Sequence, residues 1–429
     1  MTSTELSRLG VVLWATACVP GPSTSPPQAD ADSTQPAEPV DTGEQEPADP
    51  APEWLADDTV ESIGGGGGSE LFDPHVIHEI TIELDASARN ALARDPRSYV
   101  DGRFLWDGLD LPVGVRLKGS SSMDSISGKP SFKIDFNRVV DGLSLQGLKK
   151  LNLHNMVYDP MKVSEELAYR MWREAGLPGS RTSYAQITLN GEDYGLYSVV
   201  EPPDDPFLER WYDDPNGNLY ENAENYCDLD GGRRCFEAEE FDEGNHDALD
   251  AFMAAATTTS DLSALTPLLD WDRYTTFLAM EATIAHWDSY SFDQSNFRWY
   301  HEPSTDTWSL IPSSTDLSFG YRPWSYPDCG KHGVTPSDYD MGIVSDRCWD
   351  DPDCEEAVLE KMLEAADRLE EMDAAAEVRA ATDRVRDAVY DDRKKYTSNS
   401  HFEEHIDCVE AWLAQRPDEV RAWVADRRD

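Results

Sequence analysis

The spacing of apolar residues changes once along this chain, and that change restricts the fold more than any single motif does. Between Leu71 and Pro203 the spacing is mostly two. Val76, Ile80 and Ile82 share one face of the run His75–Leu84. Val113, Val115 and Leu117 alternate with Gly114, Arg116 and Lys118, and Phe132, Ile134 and Phe136 alternate with Lys133 and Asp135. Such alternation predicts half-buried strands. Ala185–Leu189 and Tyr194–Val200 flank Asn190-Gly191, a strong hairpin signal because both turn positions take positive φ. Helical stretches are predicted over Ala86–Ala93, stopped at Asp95-Pro96, and from about Pro160 to Ala175, ended by Gly176 and Pro178. Beyond Pro203 helices dominate. Trp271–His286 carries an apolar stripe, while Val378, Val385 and Val389, then Phe402, Ile406, Val409 and Leu413, fall at helical spacings. Asn296–Tyr300 and Trp308–Ile311 read as short strands. The expected class is α+β, with a strand-rich half over 71–203 and a helical half over 204–429.

The N-terminal 70 residues follow different rules. Arg8 precedes the apolar stretch Leu9–Ala17, too short to span a bilayer, which closes at Cys18. Ala15-Thr16-Ala17-Cys18 resembles a bacterial lipobox, so 1–18 reads as a lipoprotein signal peptide. Cys18 would then be the lipidated N-terminus and the chain's only attachment to a membrane. Residues 19–70, rich in Pro, Ser, Thr and acidic residues and closing on Gly64–Gly68, read as a solvated tether. The glycines lack the Lys-Ser/Thr ending of a phosphate-binding loop. Export to the cell envelope is the expectation.

Charge and cysteine content narrow the partners. The 84 acidic residues against 36 basic ones give a formal charge of −48, which repels nucleic acid and makes a DNA or RNA partner untenable. Thirteen Trp are incompatible with a wholly disordered chain. With Cys18 spent on an anchor, Cys227, Cys235, Cys329, Cys348, Cys354 and Cys408 remain, an even set suited to disulfides in an exported protein. Cys227 with Cys235 is the first pairing to expect, since both sit in one Asp/Gly/Arg-rich loop. A zinc site is the competing reading, weakened by the lack of any CxxC pair.

Four segments carry a family resemblance. They are Val115-Arg116-Leu117-Lys118-Gly119-Ser120-Ser121-Ser122 with Lys129-Pro130-Ser131-Phe132-Lys133-Ile134; Asp159-Pro160 leading to Glu165-Glu166-Leu167-Ala168-Tyr169 and Gly176-Leu177-Pro178; Leu189-Asn190-Gly191 through Glu201; and Asp288-Ser289-Tyr290, Asn296–Tyr300, Ile311-Pro312 and Asp316–Gly320. In this order and spacing, from about Leu71 to Gly320, the chain resembles the CotH family of atypical protein kinases. The resemblance implies a two-lobed kinase-like fold with a strand-rich N-lobe and a helical C-lobe. It also implies ATP and Mg²⁺ or Mn²⁺ as cofactors, with an exported protein as substrate.

Phosphoryl transfer needs a cation on the phosphates, one or two metal ions, and a carboxylate that orients the attacking hydroxyl. For the cation the expectation is Lys133, on the strand face opposite Phe132 and Ile134, with Lys129 and Lys118 as alternatives. Glu165 on the following helix is its expected ion-pair partner, while Glu166 reads as surface. Gly119, Ser120 and Ser121 can lay N–H groups over phosphates, or can simply form a tight turn. The resemblance makes Glu201 a nucleotide-contacting hinge residue, Asp288 the catalytic base, and Asn296 and Asp316 metal ligands, with Asp293 a further acid nearby. The chain departs from the family at Pro312-Ser313-Ser314-Thr315-Asp316, where Ser314 stands in place of an expected Asp. In a strand, Asp316 would project to the same face as Ser314 and could substitute for it. Two other readings stay open: a pseudokinase or structural surface protein, and an acidic carbohydrate- or cation-binding surface protein.

Overall fold

The computed structural model describes residues 68–240, 246–322 and 329–429. The expected lipobox, Cys18 and all of the expected tether except residues 68–70 lie outside the described residues.

Seven strands close a barrel: β1 (Ile77–Glu83), β2 (Val100–Trp106), β3 (Leu109–Lys118), β4 (Ser131–Asp135), β5 (Lys150–His154), β6 (Thr182–Leu189) and β7 (Glu192–Val200). Their order around it is β1-β2-β3-β4-β5-β7-β6, and β1 seals the ring by running parallel to β6. Alternation does the work the sequence implies. Ile80, Ile82, Val113, Val115, Leu117, Phe132 and Ile134 are buried in the barrel core with Phe104, Leu151 and Leu153, each contributing about 1.5–3 kcal/mol of apolar burial. Val76 does not join them: it precedes β1 and is exposed. The β6–β7 turn has Asn190 at φ 50° and Gly191 at φ 79°, the conformation that matches strand twist.

Two helices accompany the barrel, α1 (Ala86–Arg94) and α2 (Ser164–Glu174). The second begins four residues later than its periodicity predicts. Asp159 accepts from the N–H groups of Lys162 (2.9 Å) and Ser164 (2.7 Å) and from the Ser164 hydroxyl (2.7 Å), while Lys162 takes φ 61°. That side chain holds the segment in a turn and sets the helix start. Glu166, expected on the surface, is buried beside Arg384.

The remainder combines helices with a second sheet, ordered β11-β10-β8-β9, built from β8 (Asn218–Asn222), β9 (Phe236–Glu240), β10 (Phe297–Glu302) and β11 (Thr307–Pro312). The remaining helices of the described residues are α3 (Asp205–Trp211), α4 (Asp247–Thr258), α5 (Trp271–Thr283), α6 (Tyr290–Asp293), α7 (Ile343–Asp350), α8 (Pro352–Glu371), α9 (Ala374–Asp391), α10 (Asn399–Leu413) and α11 (Arg416–Arg428). Their core joins Leu167 and Trp172 of α2 to Phe277, Met362, Val378, Val385, Phe402, Ile406 and Val409. Disulfides pair Cys227 with Cys235, as expected, and also Cys329 with Cys408 and Cys348 with Cys354. No helix of the described residues is long and apolar enough to cross a membrane.

Candidate active site

A cleft of about 1080 Å³ opens between the outside of the barrel and the second half of the chain. Its barrel wall follows from strand register. Arg116 on β3 lies opposite Lys133 on β4, and Lys118, two residues further on, faces the same way. While Val115, Leu117, Phe132 and Ile134 fill the barrel, these cations point outward. Arg97, Arg116, Lys118, Lys133 and Lys150 all line the cleft, as do Gly119, Ser120 and Ser121 of the loop after β3. In a chain with more than twice as many acidic as basic residues, that clustering is notable.

The expected pairing of Lys133 with Glu165 is absent. Lys133 Nζ lies 3.6 Å from Glu239 Oε1 instead. Glu165, in the first turn of α2, holds His154 Nδ1 at 3.0 Å, and His154 Nε2 lies 2.5 Å from Lys118 Nζ. Burial lowers the pKa of His154. A neutral ring that donates from Nδ1 to the carboxylate and accepts at Nε2 from the ammonium satisfies all three groups. Lys118 itself is pushed down to about 8, chiefly by burial. The lysine held in register by the α2 glutamate is therefore Lys118, through an imidazole. His154 went unrecognised in the sequence, although Leu151-Asn152-Leu153-His154 carries the two-residue alternation that places it on this face.

Two further expected residues do not reach the cleft. Lys129 is buried in an ion pair with Asp392 and donates to the Tyr194 carbonyl at 3.2 Å. Glu201 is buried between Arg181 and Arg210, whose guanidinium groups both lie 2.6 Å from it. Its carboxylate joins the barrel's end to α3 and does not line the cleft.

The opposite wall carries the oxygen donors. Asp288, Asn296 and Asp316 all line the cleft, with Asp293 and Ser314 beside them. Asn296 Nδ2 donates to Asp288 Oδ2 at 2.7 Å and to the Asp288 carbonyl at 2.8 Å, which turns the loop before α6 toward the cleft. Glu281 of α5 holds that loop from behind, accepting from the N–H groups of Tyr290 and Ser291 at 3.1 Å each. Burial and then Asp293 push the Asp288 carboxyl up to about 6. Asp316 is raised well above the usual range by burial and by Glu165, Asp159 and Asp288. Ser314 and Asp316 are not in a strand. β11 ends at Pro312, Ser314 takes φ 47°, and Thr315–Leu317 form a 3₁₀ turn. The Ser314 N–H donates to Tyr169 of α2 at 3.1 Å, and the Thr315 hydroxyl reaches the Glu165 carbonyl. The helix that holds Lys118 thus also holds the Asp316 turn.

Among the described residues, no three His, Cys, Asp or Glu side chains cluster as a metal shell. The donors nonetheless fit Mg²⁺ or Mn²⁺. Asp316 and Asn296 offer hard oxygens, and Asp316 stands near the carboxylates of Glu165, Asp159 and Asp288, acidic charge that a cation would offset. Mg²⁺ typically takes one or two carboxylates and completes its shell with water and phosphate oxygens.

The family model described as "CotH kinase protein" matches residues 115–420. The invasins CotH2 and CotH3 of Rhizopus delemar are each 21% identical to this chain, over 293 and 301 residues, or 62% and 64% of it. Those matches cover 48% of each invasin, so the chain spans about half the length of the curated relatives it matches. The crystal structure of a Helicobacter pylori proinflammatory kinase, CtkA, aligns over 73% of this chain and 95% of that one. It does so at 10% identity and a TM-score of 0.33, a likeness too faint to carry an argument.

Proposed function

Because the chain belongs to the CotH kinase family, we propose that it is an extracytoplasmic, two-lobed atypical kinase that transfers the γ-phosphoryl group of ATP to a Ser or Thr hydroxyl of an exported protein. One observation carries this reading: the cations of the barrel strands face the oxygen donors of the second half across a single cleft. Lys118 and Lys133 hold the phosphates, assisted by N–H groups of Gly119, Ser120 and Ser121. Asp288 orients the acceptor hydroxyl and takes its proton. The hydroxyl oxygen forms the new bond to phosphorus, the bond to the β-phosphate breaks, and ADP leaves. Asn296 and Asp316 would hold Mg²⁺ or Mn²⁺, which when bound neutralises charge on the β- and γ-phosphates. Three disulfides suit an oxidising compartment, and the invasin names of the relatives support a surface location. Lipid attachment at Cys18 belongs to the same proposal.

A second reading, nucleotide binding without turnover, draws on Ser314 standing where the family pattern has an Asp. Both are tested by measuring ATP binding and ADP release with Mg²⁺ or Mn²⁺ on the full chain. Under the kinase reading Asp288→Ala and Asp316→Ala each lower turnover by about 10²-fold or more while ATP still binds. Binding without turnover in the parent chain, with turnover gained in Ser314→Asp, selects the second reading. Absence of both binding and turnover removes the two together.

A further inference from the structure

The loop that runs from Gly119 to Lys129 carries the small residues of the cleft, and much of it is anchored by its carbonyl oxygens. Arg97 donates to the Gly119 carbonyl at 3.0 Å, Tyr158 to that of Ser121 at 2.7 Å, and Asn155 to those of Ser122 and Lys129 at 3.2 and 2.8 Å. The far end of the loop is gripped from an unexpected place, the six residues Asp392–Thr397 between α9 and α10, more than 260 positions along the chain.

That segment lies across the barrel as a strap. Asp392, 4% exposed, takes the Lys129 ammonium and the Leu196 N–H (3.1 Å) on one carboxylate oxygen and the Lys394 N–H (2.8 Å) on the other. Gly195, at φ 81°, lets β7 pass: a Cβ there would sit 2.2 Å from the Asp392 carboxyl. Lys394 Nζ donates to the carbonyls of Ser127 (3.2 Å) and Gly128 (3.3 Å), pairs with Glu192 at 2.9 Å, and lies over the Tyr194 ring. The Tyr396 hydroxyl donates to Asp124. Asp124 in turn caps the N–H groups of Ser125 and Lys129 at 2.7 Å each. Thr397 accepts from Lys162, which also holds the Met156 carbonyl in the segment leading to α2. One short segment therefore fixes the cleft loop to the approach of the helix that carries Glu165.

We propose that the Asp392–Thr397 strap is a positioning element for nucleotide binding, with Lys394 and Tyr396 setting where Gly119–Ser122 lie relative to the phosphates. The proposal rests on the kinase reading of the cleft. Neither side chain lines the cleft, so both act through the loop. Tyr396 is 58% exposed, so Tyr396→Phe removes one hydroxyl and no core packing.

The test uses the full chain with ATP and Mn²⁺. The readouts are KM for ATP, kcat, and amide hydrogen exchange over 119–128, for the parent, Tyr396→Phe, Lys394→Ala and the conservative Lys394→Arg. The expected result is faster exchange in the loop and a rise of about threefold to tenfold in KM for ATP in the first two variants, the worth of a lost polar contact. kcat should stay within about twofold, and Lys394→Arg should restore KM. Faster loop exchange with unchanged KM overturns the proposal and leaves the kinase reading standing. So does an equal fall in kcat and rise in KM that Lys394→Arg does not repair, since that pattern marks a general loss of structure. A parent chain that binds no ATP overturns both, and is recognised because the parent itself is silent.

Discussion

Lysines 118, 129 and 133 occupy similar positions in the sequence, each in or beside a predicted strand, and the structure gives them three different environments. Lys118 is tied through His154 to Glu165, Lys133 faces Glu239, and Lys129 is sealed inside with Asp392. Strand alternation correctly puts Lys118 and Lys133 on the outer face of the barrel. It gives no warning about Lys129, whose partner lies 263 positions away and is fixed only by tertiary packing. The burial of Glu201 is equally silent in the sequence, because Arg210 reaches it from α3 across a turn that no periodicity describes. The two kinds of lysine should separate by experiment. Lys118→Ala should lower kcat/KM for ATP by about 10²-fold while costing about 1–2 kcal/mol of unfolding free energy, since His154 loses one donor. Lys129→Ala leaves Asp392 buried without its cation, and such losses cost about 3–5 kcal/mol. Urea unfolding of both variants beside ATP kinetics checks this. A stability loss in Lys118→Ala as large as that in Lys129→Ala would remove the distinction.

The elements legible in the sequence are those whose pattern is local. β3, β4 and the β6–β7 hairpin follow from alternation and from Asn190-Gly191, and α5, α9 and α10 follow from helical stripes. β2, β5, β8 and β9 were not anticipated. β8 reads Asn-Leu-Tyr-Glu-Asn, with too few apolar residues to announce itself, and it forms because β10 and β9 pair with it on either side. Closure of the barrel through parallel β1 and β6 is likewise a long-range event without a sequence signature. The junction of α5 with α6 shows the same dependence. Glu281 is buried with two backbone N–H groups of α6, and burial pushes its pKa up to about 8. A carboxyl whose folded pKa exceeds its unfolded value near 4.5 binds more protons in the folded state, so stability falls as pH rises toward 8. His286 and His405, lowered to about 3, act in the opposite sense but only below about 6.5. Lys118 and Lys162, lowered to about 8, act above that value. Between pH 6.5 and 8 the trend therefore belongs to buried carboxyls, Glu281 together with Asp316, whose carboxyl burial also raises. Melting temperatures across that window should decline in the parent chain and decline less steeply in Glu281→Gln, which keeps the shape without the proton. Parallel curves would show that Glu281 is already ionised.

At the scale of the whole molecule, a formal charge of −48 works against compaction, and the disulfides oppose it unequally. Cys227–Cys235 and Cys348–Cys354 close loops with separations of 8 and 6 residues, whereas Cys329–Cys408 spans 79. The long bridge ties Cys329 to α10. The neighbouring Gly330 and Lys331 donate to the Phe319 and Gly320 carbonyls at 3.0 and 3.2 Å, so the bridge connects the end of the Asp316 turn to the helix that follows the strap. On the chain-entropy account, cross-linking a loop of that length restricts the unfolded chain by about 4–5 kcal/mol, against about 2–3 kcal/mol for either short loop. Replacing Cys329 and Cys408 together by Ser should therefore lower the urea unfolding free energy by about 2 kcal/mol more than the matching Cys348 and Cys354 double replacement. It should also weaken ATP binding, because the Asp316 wall loses its tether, while the Cys348 and Cys354 pair, which joins α7 to α8 and does not line the cleft, leaves binding unchanged. Equal stability losses in the two double variants would mean that the unfolded chain, expanded by its own charge, gains little further from the long cross-link. Unchanged ATP binding in the Cys329 and Cys408 variant would mean that the contacts from α2 and α5 hold the cleft wall without the bridge.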